Sequence, residues 1–366
     1  MTAAQAGPAH GALAERLVTT HDDAVLRRFD WVDAPTPIER APWLDGDRSH
    51  VWIKRDDRTS TRYGGGKVRK LQWVLANPPF DGDAPVLSVG GTGSHHLLAL
   101  GLFLQPLQRE LHALVFEQPW TDHVRRNFAV LVSLGTRLWP VRTRAALPWA
   151  WLGYHVLRRP PRVGVSMPAG ASTDLGCFGF VEAALEGRAP SDAGAMPRPD
   201  VVYVTAGSAG TCAGLALGFA LAELPVELQL VSSVERWAFN RPLLHRKLAQ
   251  AHAALRRWGL PQAQQGDAMG WLGQAGIRLA IDHDEVGGGY GVPTEAARSA
   301  LSLAREHGLS LETTYTAKCM AALRRREHAW QGAPRTVLWW NTHGANDLSS
   351  WVAPDWRSRS PIDVPA

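Results

Sequence analysis

Short apolar runs alternate with helical stretches along most of this chain, and many of the runs end in glycine, serine or threonine. "APVLSVGG", "LHALVFE", "DVVYVTAG", "VELQLVSSV" and "RTVLWWNTHG" are strands by length and apolar content. Between them, "SHHLLALGLFLQ", "TDHVRRNFAVLVSLG", "TDLGCFGFVEAALEG", "TCAGLALGFALAEL" and a stretch over about 241–258 have helical character. Thr121 stands as an N-cap and Gly135 as a helix end. Strands that are apolar throughout need cover on both faces, so the pattern predicts an α/β fold of open, mostly parallel sheets flanked by helices. "RAPSDAGAMPRP" (188–199) has linker composition and divides the pattern into two units. Residues 1 to about 35 lack periodicity and read as a partly ordered extension.

In such sheets, ligands sit beyond the carboxyl ends of the strands. Four loops at those ends are rich in glycine, serine or threonine: "GGTGSHH", "PAGAST", "TAGSAGT" and "NTHGAND". Composition narrows what they bind. A net charge of +5 over 366 residues, with basic residues scattered, gives little support for nucleic acid and suits a small anion or cofactor. Cys177, Cys212 and Cys319 are far apart and form no CxxC pair, which argues for a reducing compartment without disulfides or a cysteine-rich zinc site. No secretory leader is recognisable at the N-terminus, and no apolar run is long enough to cross a bilayer. The expectation is a cytoplasmic protein with no membrane partner.

Gly207, Ser208, Ala209, Gly210 and Thr211 lie between an apolar strand and an apolar helix. Their N–H groups can converge at a helix N-terminus, as a phosphate monoester requires. The glycine spacing is wrong for a dinucleotide fingerprint, and no Gly-Lys-Ser/Thr follows. A hydrolase elbow centred on Ser208, or a simple tight turn, are the competing readings. "YGGGKVRK" places Lys67 after three glycines. A lone lysine there is most simply a surface charge, but a desolvated amine can form an imine. An imine-forming lysine together with a single phosphate cradle points to pyridoxal phosphate.

With these residues in place, "WIKRDD" and "YGGGKVRKLQWVLA" resemble the "KRDD...GGNKxRKLE" signature of the D-cysteine desulfhydrase and 1-aminocyclopropane-1-carboxylate (ACC) deaminase family. Those are pyridoxal phosphate enzymes of fold type II, the tryptophan-synthase-β-like fold. "GSAGTCAG", "GGGYGVPTEAA", "TTYTAKCMAAL" and "VLWWNTHGA" follow the family pattern in the same order, from about residue 35 to 349. The resemblance implies a large domain (1–69 and 200–366), a small domain (70–199) and a homodimer. It places the cofactor-bearing amine on Lys67 and the phosphate on residues 207–211. Tyr290 and Tyr315 fall on active-site tyrosines. Ser94 falls on a serine near the substrate carboxylate, although a plain polar helix start is the simpler reading. His95 takes the place of the asparagine that contacts the cofactor's ring oxygen, and His96 matches a family histidine. Thr316 or Thr342 would face the ring nitrogen, as in desulfhydrase-like members; the simpler role for Thr316 is an N-cap.

Several positions depart from the family. Gly66 and His95 each replace an asparagine, Leu98 stands in or beside a basic position, Ala171 interrupts "GGSN", and His343 replaces a glycine. Adjacent His95 and His96 form no i, i+4 pair and have no carboxylate set close in sequence, so no metal is expected. The implied activity is a lyase or hydrolase of amino-acid metabolism acting on a small amino acid. It would eliminate a β-leaving group such as thiolate and release an α-keto acid and ammonia. Ring-opening deamination or β-replacement on the same cofactor, a non-catalytic cofactor-binding protein, and a serine hydrolase at Ser208 are the rival functions.

Overall fold

The computed structural model describes residues 5–18, 20–21, 24–156, 162–327 and 330–365. The strands of its two main sheets are β1 (Ile38–Arg40), β2 (Ser49–Arg55), β3 (Val86–Gly91), β4 (Leu111–Phe116), β5 (Arg137–Val141), β6 (Val165–Ser166), β7 (Val201–Ala206), β8 (Glu227–Ser232), β9 (Arg278–Asp282) and β10 (Arg335–Asn341). The helices that matter below are α1 (Gly66–Val74), α2 (His95–Leu104), α3 (Asp122–Ser133), α4 (Leu147–Val156), α5 (Asp174–Leu185), α6 (Gly210–Leu221) and α7 (Thr316–Glu327).

One sheet has the order β9-β8-β7-β10-β2-β1 and is parallel except at the β1–β2 edge. The other has the order β6-β3-β4-β5 and is parallel throughout. Every residue of β4 and β7 is buried, as the apolar runs require. The expected α/β architecture is therefore present. Among the described residues no helix is long and apolar enough to cross a membrane.

Close helix packing brings the two lysine and glycine motifs together. An added Cβ at Gly179 on α5 would lie 1.9 Å from the Arg69 carbonyl oxygen on α1. One at Gly214 on α6 would lie 2.4 Å from the Cys177 carbonyl oxygen on α5. Only glycine permits these approaches. Helix α5 is thus clasped between the helix that begins near Lys67 and the helix that begins at Gly210. Its buried Cys177, Phe178, Phe180 and Val181 join the core cluster of the larger sheet.

Three segments differ from expectation. Where described, residues 5–35 are docked: Leu13 and Leu26 are fully buried, Gly7–Pro8 pairs with Arg27–Arg28, and Arg28 bonds Glu182 at 2.7 Å. A few isolated apolar anchors hold this segment, and isolated anchors leave no periodic trace. Residues 188–199 include a short helix, Arg188–Asp192, and the buried Met196. Strand β5, "RLWPV", was not legible because its proline breaks the strand pattern; the structure places it at a sheet edge, where proline is tolerated.

Candidate active site

The chain leaves β2 at Arg55 and turns through Asp56–Arg58 before reaching the triple glycine. Gly65 adopts φ 94°, and a Cβ there would lie 2.7 Å from the Gly344 nitrogen. The Gly66 N–H donates to the Thr342 carbonyl oxygen at 3.1 Å. The glycines are bare because this loop lies main chain to main chain against residues 342–344. A Cβ at Gly66 would also meet Phe180 Cζ at 2.7 Å, which explains why the family asparagine is missing: Phe180 occupies that space.

Lys67 is the second residue of α1 and lines a cavity of about 490 Å³. Burial lowers its pKa, opposed by the charge of Glu312, so the amine is biased toward its neutral, nucleophilic form. The position of α1 is fixed by a buried ionic network two residues on. The Arg69 guanidinium donates to Asp56 at 2.8 Å and to Glu186 at 2.6 Å, and Lys54 donates to Glu186 at 2.7 Å. Trp340 Nε1 donates to Asp56 at 2.7 Å. Burial alone would raise the Glu186 pKa, but Arg69 and Lys54 hold it at about 2.

Across the cavity, β7 ends at Ala206 and α6 starts at Gly210. Ala209 takes the left-handed conformation, φ 63° and ψ −22°, and gives the helix no side-chain cap. Among the described residues, no protein acceptor takes the N–H groups of Ser208, Ala209 or Thr211. Uncapped N–H groups at a helix start form an anion site. At Gly207 a Cβ would meet nothing closer than 3.8 Å, so the loop opens on free space. The hydrolase reading fails here. Ser172 Oγ donates to Ser208 Oγ at 2.6 Å, and among the described residues no histidine partners the Ser208 hydroxyl to activate it.

Sequence reasoning missed Lys70, one turn beyond Lys67. A Cβ at Gly210 would lie 3.0 Å from its Nζ, so the amine stands beside the uncapped helix start. Burial, and then the charge of Lys67, lower the Lys70 pKa to about 7. Its i, i+3 spacing from Lys67 on α1 was the available signal.

The remaining wall carries side chains. Ser94 caps α2 by accepting the Leu97 N–H at 3.2 Å and also lines the cavity. Tyr290 and Tyr315 line it with hydroxyls 2.7 Å apart, and burial raises both pKa values. Thr316 and Thr342 line it too. Thr316 is not the cap of α7. Glu312 takes that role, accepting the N–H groups of Thr314, Tyr315 and Thr316 at 2.7–2.9 Å. His96 turns its ring inward to Ser88 Oγ at 2.8 Å, and burial lowers its pKa to about 3.

His95, His343 and Glu312 meet at the boundary between this cavity and a neighbouring one of about 370 Å³. The His95 and His343 ring centroids are 5.1 Å apart. Burial, then the neighbouring His343, hold His95 well below the ordinary histidine range, and burial lowers His343 to about 4. The two histidines are 248 positions apart in sequence, which the subtraction 343 − 95 shows, and Glu312 belongs to a third loop. No local motif announces such a cluster. Of the other departures, Ala171 is buried in the loop before α5 at φ 49°, and Leu98 is buried on α2.

The residues fit pyridoxal phosphate. A neutral-biased amine, an uncapped helix start for a phosphate and two threonines share one cavity, and a second amine, Lys70, is buried beside that helix start. A family model described as pyridoxal-phosphate dependent enzyme matches residues 32–342. The chain is 30% identical over 308 residues to a D-cysteine desulfhydrase of Klebsiella pneumoniae (strain 342), covering 81% of this chain and 87% of that protein. It is 31% identical over 305 residues to a D-cysteine desulfhydrase of Salmonella choleraesuis (strain SC-B67), with the same coverage. Among solved structures, an ACC deaminase homologue superposes with TM-score 0.71 at 22% identity, covering 92% of this chain and 96% of that one. A hydrogen sulfide-producing enzyme from Fusobacterium nucleatum superposes with TM-score 0.52 at 13% identity, covering 85% and 95%. These two structures share the fold.

Proposed function

The chain belongs to the pyridoxal-phosphate-dependent enzyme family, and from that footing we propose that it acts as a lyase on D-cysteine or a close analogue, consuming one water and releasing sulfide, pyruvate and ammonia. One observation supports this reading above the others: the Lys67 amine and the uncapped N–H groups of Ser208, Ala209 and Thr211 face one cavity. Lys67 would carry the cofactor, residues 207–211 and Lys70 would hold its phosphate, and Thr316 or Thr342 would face its ring nitrogen. When bound, the cofactor supplies an electron sink for negative charge at the substrate α-carbon.

The chain's own groups do the rest. Ser94 Oγ and the N–H groups around it bind the substrate carboxylate. The Lys67 amine, whose pKa burial lowers, takes the Cα proton. The Cβ–S bond then breaks with its electron pair on sulfur. The Tyr290–Tyr315 pair, with pKa values raised by burial, stays protonated and donates toward the departing thiolate. Thr316 bears a hydroxyl rather than a carboxylate, so this chain does not itself supply a proton to the ring nitrogen there, which favours elimination over ring opening. Assays of sulfide and keto acid from D-cysteine, beside keto acid from ACC, test the reading. Sulfide with equimolar pyruvate from D-cysteine is expected; keto acid from ACC alone, or no spectral response to any amino acid, contradicts it.

A further inference from the structure

We propose that the chain holds a divalent ion of the zinc class on His95, His343 and Glu312, at the boundary between its two cavities. One ligand atom from each residue lies within 4.8 Å of the other two. All three residues line both the Lys67 cavity and its neighbour. Two imidazoles and a carboxylate are a donor set that zinc-class ions accept.

The cluster also lacks the internal bonds that would make it self-sufficient. His95 Nε2 and His343 Nδ1 are buried with no hydrogen-bond partner. Buried polar atoms are normally paired, so two such nitrogens in one cluster point to a missing ligand. The far side of His95 is already held, since its Nδ1 lies 2.6 Å from the Tyr63 hydroxyl. With that nitrogen donating to Tyr63, the Nε2 lone pair is left for a metal, and a hydroxyl on the opposite nitrogen is how ligating histidines are oriented. Glu312 is fixed by the N–H groups at the start of α7. His123 stands behind, its Nε2 3.9 Å from Glu312 Oε2 and its ring stacked on His95 with centroids 6.0 Å apart.

Zinc–nitrogen bonds of about 2.0–2.1 Å would set the final positions of the two imidazoles. Water or a substrate group would fill an open position toward Lys67. Both histidines replace smaller residues of the family pattern, so this site belongs to this chain and not to the shared fold. The inference stands on these side chains, not on the substrate proposed above.

Chelator-treated holoenzyme titrated with Zn²⁺, with metal counted by mass spectrometry after dialysis, tests it. One ion per chain is expected. His343→Gly and His95→Asn should each weaken binding by about tenfold or more, by analogy with the loss from disturbed metal sites. The cofactor absorbance of each variant reports whether it folds. Anomalous diffraction from Zn²⁺-soaked crystals of the unaltered protein needs no variant and should place the ion between His95, His343 and Glu312. No bound ion, an ion elsewhere, or unchanged affinity in the folded double variant would overturn the proposal.

Discussion

Main chain walls the cavity on the side of Gly64, Gly65, Gly207, Ser208 and Ala209, whereas titratable side chains wall it at His95, Glu312 and His343. The first side works through N–H groups and close backbone contact, for which few sequences serve: an added Cβ at Gly65 or Gly210 strikes an atom within 3.0 Å. The second side works through the imidazoles of His95 and His343 and the carboxylate of Glu312, which also caps α7. Backbone contacts on one side leave little room for substitution, whereas the two imidazoles on the other leave more.

That contrast can be broken at several points. The largest effect is expected from Lys67→Ala. It should abolish the visible absorbance of the bound cofactor and reduce activity by about a thousandfold or more, since the nucleophile and base are removed together. Retained absorbance would end the assignment. Next is Arg69→Met, which leaves Asp56 and Glu186 buried with too few partners. Loss of one member of such a network costs about 3–5 kcal/mol, read as a lower midpoint in denaturant unfolding. Wild-type stability in that variant would show that α1 is held by packing alone.

Lys70→Met should weaken pyridoxal phosphate binding by about 10- to 100-fold, the loss of one charge-assisted hydrogen bond to the phosphate. The same residue gives a pH signature in the apoprotein. Its folded pKa of about 7 is below the unfolded value of 10.5, so the unfolded chain binds more protons between those values. Lys70 therefore makes the apoprotein more stable as pH rises through that window, and less stable below it. Thermal unfolding from pH 7 to 10 should show this rise, and Lys70→Met should flatten it. Equal slopes in the two proteins would remove Lys70 from the cradle. The smallest effect on the cofactor is expected from His343→Gly: affinity for pyridoxal phosphate should stay within about threefold while KM for the amino acid changes, because the grip on phosphate is elsewhere. A large loss of cofactor would erase the distinction between the two sides.

The legibility of the sequence follows the same division. Lys67, Ser94, Tyr290, Tyr315 and residues 207–211 stand in local motifs, and all but Gly210 line the cavity. The strands around them were readable because buried parallel strands are apolar throughout. Lys70 was hidden by looking like one more cation in "KVRK", and its meaning appears only where α1 packs across α5 against the start of α6. Glu312 was hidden by its place in a loop, four residues before the helix it caps. The His95–His343–Glu312 cluster combines the start of α2 with two distant loops, so no spacing rule reaches it. The docked N-terminal segment was missed for a related reason: Leu13 and Leu26 are single anchors in a stretch without period.

Lys67 and Lys70 are both amines of lowered pKa on one helix, and only one of them can carry the cofactor. Borohydride reduction of the holoenzyme, followed by peptide mapping, identifies which amine is joined to the cofactor's aldehyde carbon. A phosphopyridoxyl group on Lys67 alone is the predicted result; the label on Lys70, or on neither, would contradict it.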